Sequence, residues 1–192
     1  MAITGHHYHK DSFDQLQSVL VGGSTWTLRL LRSTKVAVAH IAKNDVFTYK
    51  CQLNHDKVLN TGLDGFHIHF IPIGTVTAGE IIAIDYAWGW LTNDDVYPDT
   101  LPNTGTAHIT LATGDQYKYK IKNIISVSEI IPPLSAVSTI APPTGEDYSS
   151  EFIIECTRRN DGQDTYAGEF ALLDGDVHYS TNHLGSYNEF ND

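Results

Sequence analysis

Gly65-Phe66-His67-Ile68-His69-Phe70-Ile71-Pro72-Ile73 decides how the rest of this 192-residue chain is read. A strand turns successive side chains to opposite faces, so Phe66, Ile68 and Phe70 share one side and His67 and His69 the other. The apolar side marks a half-buried strand. The imidazole side marks either a metal half-site or a hydrogen-bonded polar seam. Upstream lies His55, before a polar loop that runs to Gly65. Downstream, Gly79 to Trp90 is long and apolar, and is expected to pair back on the His67 strand.

The period of two continues outward. Trp26, Leu28 and Leu30 share a face of Thr25–Leu31, Val36–Ile41 forms another run, and Asn44-Asp45 turns the chain into Val46–Leu53. Thr106–Ala112, Tyr117–Ile131, Glu151–Thr157 and Glu169–Tyr179 complete the strands, with Arg158–Gly168 expected to join the last two as a hairpin. Pro132-Pro133 and Ala141-Pro142-Pro143 bracket a crossover loop. Ser12–Leu20 places Phe13, Leu16 and Leu20 on one side of a short helix that Gly22-Gly23 ends, behind an exposed arm carrying His6, His7 and His9. About nine short strands with little helix predict an all-β, antiparallel sandwich of jelly-roll type. Residues 1–24 form an arm with a short helix, and 25–192 a single sandwich domain.

With 23 acidic against 12 basic residues the net charge is -11, which repels phosphate backbones and argues against nucleic-acid binding. No apolar run reaches the roughly 18 residues that span a bilayer, and the first residues lack the build of a signal peptide. The expectation is a soluble protein made in a cytoplasm, with Cys51 and Cys156 as buried thiols. Lys118, Lys120 and Lys122 alternate along one expected strand, on a solvated face.

Three constellations carry chemistry. His67 and His69 are joined as candidate metal ligands by His55 and His178, with Asp85 as a further choice; two His and a carboxylate suit iron, three His suit zinc. A cupin-type, metal-dependent enzyme also carries His-x-His, but with a Glu a few residues on, whereas the next acid here is Glu80. Arg158 and Arg159, alternating with Asp161 and Asp164, read as an arginine–carboxylate clamp, or else as an anion or glycan site. Trp88, Trp90 and Tyr97, near Asp94, Asp95 and Asp99, are placed to stack on sugars or to close one end of a sandwich. Asp176 and His178 share a face of the last strand, but no Gly-x-Ser-x-Gly elbow, phosphate loop or dinucleotide fingerprint occurs.

The ordered set Gln52-Leu53-Asn54-His55, His67-Ile68-His69, Asp85-Tyr86-Ala87-Trp88, Arg158-Arg159, Asp164-Thr165-Tyr166, Asp176-Val177-His178-Tyr179 and Leu184-Gly185-Ser186 resembles a family of structural proteins of tailed bacteriophages and prophages. The family commonly has Pro where this chain has Asn54 and Phe66. The resemblance implies a non-catalytic virion component of the head, a fibre or the tail. It implies assembly in the host cytoplasm into a homo-oligomer, a trimer for choice, beside other virion proteins; a host-surface glycan is a further expected partner, on the aromatic and acidic loops. No cofactor is implied beyond a structural metal ion. The competing readings are the cupin-like enzyme built on His67 and His69 and a carbohydrate- or receptor-binding module.

Overall fold

The computed structural model describes residues 8–13, 17–18, 27–52, 63–91, 96, 99–125 and 151–181, with side chains for 27–51, 65–89, 96, 99–125 and 151–177. These residues form β1 (Tyr8–Phe13), β2 (Gln17–Ser18), β3 (Thr27–Leu30), β4 (Ala37–Ile41), β5 (Val46–Gln52), β6 (Leu63–Ile73), β7 (Ile81–Leu91), β8 (Asn103–Thr110), β9 (Lys120–Ile125), β10 (Glu151–Arg158) and β11 (Glu169–Thr181). One sheet runs β3-β4-β11-β6-β9, with β1 also on β11, and the other runs β2-β5-β10-β7-β8. From β4 onward the chain changes sheet at every step except β7 to β8, which pair in one sheet, so that the sheets read 4-11-6-9 and 5-10-7-8. That interleaving is a jelly roll, two Greek keys folded over one another. The protein is an all-β sandwich.

One apolar core joins the sheets. Phe66, Ile68, Phe70, Phe170 and Leu172 face Phe47, Ile84, Phe152 and Ile154 across it. The aromatic rings meet edge-on, Phe170 lying 6.4 Å from Phe47 in the opposite sheet and 5.7 Å from Phe70 in its own. Cys51 and Cys156 are buried and are not joined in a disulfide, and burial pushes the Cys156 thiol up from its ordinary range.

Several expectations are corrected here. Gly79–Trp90 does not pair with the His67 strand; Ile81–Leu91 lies in the opposite sheet, between β8 and β10. Residues 159–168 are not a hairpin loop but a crossover between the two sheets' central strands, β10 and β11. Strand β9 begins at Lys120 rather than at Tyr117, which takes a φ of 59° in the preceding turn, and Lys120 is tied to Asp115 at 2.8 Å. Where a helix was expected over Ser12–Leu20, the described residues are strands, Tyr8–Phe13 along β11 and Gln17–Ser18 along β5, and the rest of 1–24 lies outside the described residues. A short helix is marginal by itself, while edge pairing satisfies the same backbone groups against a formed sheet.

The bulge in β11 positions everything described below. Leu172 pairs with Phe70, but Asp174, not Leu173, pairs with His69. The extra residue reverses the parity of the strand. Phe170 and Leu172 face the core, whereas Asp174 and Asp176 face outward. Gly175 then turns inward against the ring of Tyr49, where a Cβ would stand 2.7 Å from Cζ. Tyr49 is buried, and that burial, followed by the nearby Asp174, holds its hydroxyl well above the usual range.

Candidate metal centre on the outer face of the sheet

His67 and His69 point away from the core because Phe66, Ile68 and Phe70 take the inward positions of β6. The two imidazoles stack with centroids 5.0 Å apart and planes inclined by only 6°. Register places Asp176 of β11 directly opposite His67, and Asp174 opposite His69. His67 Nε2 contacts Asp176 Oδ1, and His69 Nε2 lies 3.6 Å from the same oxygen. The donor atoms of His67, His69 and Asp176 all lie within 4.8 Å of one another. Two imidazole nitrogens and a carboxylate oxygen form a set that suits zinc or iron.

On the far side of β6, the Tyr119 hydroxyl sits 2.5 Å from His69 Nδ1. That bond fixes the ring so that Nε2 faces the carboxylate. His69 Nε2 is buried and has no hydrogen-bond partner. An orphaned buried nitrogen costs about 1–3 kcal/mol, so this one marks either stored strain or a place for a ligand.

The arginine–carboxylate clamp is present, and it is internal. Arg158 is completely buried and spends all five N–H donors. Nε and Nη2 reach the Asp164 carboxylate at 2.9 and 3.1 Å; Nη1 donates to the carbonyls of Ile41 and Gly168, and Nη2 to that of Tyr166. Asp164 in turn accepts from the Ala83 amide at 3.2 Å and lies 3.4 Å from Lys43 Nζ. Arg159 turns outward to Asp85 at 2.9 Å and to Asp161. That guanidinium holds the Asp161 carboxyl down at about 2.

The outer face of the second sheet carries a polar trough of about 410 Å³, lined by Asp85, Ala87, Thr104, Thr106, Glu155 and Thr157. Alternation along β7, β8 and β10 brings these side chains to one surface.

Of the expected metal ligands, His67 and His69 come together, His55 lies outside the described residues, and His178 is placed only by its backbone opposite Gly65. Asp85 is on the wrong sheet, bonded to Thr106 and Arg159. The third donor is Asp176, whose Asp-x-His setting was visible but whose partner strand was not. Of the expected binding residues, Trp88 is only 7% exposed and stacks on Phe152 at 5.9 Å, and Arg158 is enclosed, so neither can meet a ligand. Tyr97 and the Trp90 side chain lie outside the described residues. A cupin-like site inside the sandwich is also ruled out for His67 and His69, because apolar rings fill that side.

No protein-family model and no curated protein matches the chain. Among solved structures it is similar to the carbohydrate-binding module TmCBM61 in complex with β-1,4-galactotriose, at 11% identity and a TM-score of 0.25, over 91% of this chain and 88% of that one.

Proposed function

We propose that the chain is a non-catalytic jelly-roll building block that acts by assembly and binding, as a structural component of a bacteriophage particle. The observation that supports a structural role is where the reactive side chains are spent. Arg158 gives every donor to acceptors inside the protein, and His67, His69 and Asp176 are packed against one another on a sheet face. The ordered motifs between Gln52 and Ser186 support the particle assignment, which the fold permits, since viral capsid domains use jelly rolls. Strand β3 also leaves Leu28 and Leu30 exposed on a sheet edge, where a second chain has hydrogen bonds and apolar surface to cover. Particles purified from the source bacterium and digested for mass spectrometry should contain its peptides. Peptides found in the lysate but missing from intact particles would refute the assignment.

The trough supports a second reading, a glycan-binding module. The Glu155 carboxylate and the Thr104 and Thr157 hydroxyls, beside an Asp85 already bonded to Thr106 and Arg159, offer acceptors and donors for a sugar's vicinal hydroxyls. Glu155→Ala should reduce retention on a glycan array at least tenfold while leaving thermal melting unchanged. Equal retention by both proteins would discard the trough as the binding surface.

A further inference from the structure

We infer that His67, His69 and Asp176 hold a single divalent first-row transition-metal ion, which ties β6 to β11 on the outer face of the sheet. Three features carry the inference. The donors come from two strands whose register sets His67 against Asp176, so the site is built by the sheet rather than by a loop. The rings are parallel, and both Nε2 atoms are directed at one carboxylate oxygen. His69 Nε2 is buried without a hydrogen-bond partner, which an ion would supply.

The two separations that involve Asp176 need little change, and the two rings must tilt towards one another. At metal–nitrogen distances of about 2.0–2.1 Å, the donors of a tetrahedral site stand about 3.3 Å apart. The His69–Asp176 separation of 3.6 Å is already close to that. The His67–Asp176 contact opens by under an ångström, replacing a direct hydrogen bond with two coordinate bonds. Imidazole with carboxylate favours zinc, iron, cobalt or nickel over calcium or magnesium, which take mainly oxygen. Tyr119 is the positioning residue: with its oxygen accepting from His69 Nδ1–H, the Nε2 lone pair is free for the metal. The ion's place does not depend on whether the chain belongs to a particle.

The test uses the full, untagged chain, stripped with EDTA and titrated with Co²⁺. Visible absorption should saturate at one equivalent and be displaced by Zn²⁺, and Zn²⁺ should raise the melting temperature. Asp176→Asn, which keeps the side chain's shape, and His69→Gln should each weaken Co²⁺ binding more than tenfold. Tyr119→Phe should weaken it roughly tenfold and shift the cobalt spectrum without changing the melting temperature of the metal-free protein. His6, His7 and His9 form a competing cluster, so a variant with all three changed to Gln must bind as wild type. Loss of the signal in that triple variant, its survival in both Asp176→Asn and His69→Gln, or no absorption at tenfold excess Co²⁺ would each overturn the site.

Discussion

Arg158→Met should lower unfolding free energy by about 3–5 kcal/mol, with a fall in melting temperature on the order of 10 °C. The loss comes less from the missing attraction than from what is left behind. Asp164 is fully buried, and the carbonyls of Ile41, Gly168 and Tyr166 would each lose a charged donor. Lys43, 3.4 Å from the Asp164 carboxylate, stays in place and offsets part of the buried charge left uncompensated, which favours the lower half of the range. Replacing both partners, Arg158→Met with Asp164→Leu, should recover a substantial part of the loss, because the stranded carboxylate is then gone. Chemical denaturation of the single and double variants measures this. A single variant within 1 kcal/mol of wild type would show that the clamp contributes nothing to holding the crossover.

Phe170→Ala should cost about 3–5 kcal/mol, and Phe170→Leu much less. Phe170 is fully buried where three parts of the molecule meet: Phe47 of the opposite sheet, Phe70 of its own, and the Arg158 guanidinium, 5.7 Å from the ring centroid. Truncation therefore opens a cavity in the core and removes the apolar wall of the clamp at once. The two sites touch, so their effects should not add. A double-mutant cycle of Phe170→Leu with Arg158→Met should show a coupling of at least about 0.5 kcal/mol, and strict additivity would mean that core and clamp act separately.

The sandwich was legible because its strands alternate cleanly. Phe66, Ile68 and Phe70 occupy the inward positions that their spacing assigned, and Asn44-Asp45 turns as expected, with Asn44 at a φ of 71°. Strand partners were not legible, because alternation says which face a residue takes and nothing about which strand lies beside it. Gly79–Trp90 shows this: an apolar strand of that kind fits either sheet. Asp176 was hidden for a sharper reason. By simple alternation Phe170, Leu172, Asp174 and Asp176 share one face, and only the bulge at Leu173 turns the aspartates outward to the histidines. The residues around Leu173 carry no mark that distinguishes a bulge from a regular strand. Arg158 was read as half of a clamp or else as a ligand-binding residue, and the burial that decides for the clamp could not be seen, since an arginine after a strand is usually solvated.

The pairing of β1 with the far half of β11 has a mechanical consequence. Tyr8 lies beside Thr181 and Phe13 beside Asp176, so the first residue of β1 and the last of β11 stand side by side at one end of this ladder. A tug between anything attached ahead of Tyr8 and anything attached after Thr181 would open the pairs one after another, as a zip opens, instead of loading them all together. Load that enters through Tyr8 and Thr181 therefore meets one pair at a time, and this ladder resists it weakly.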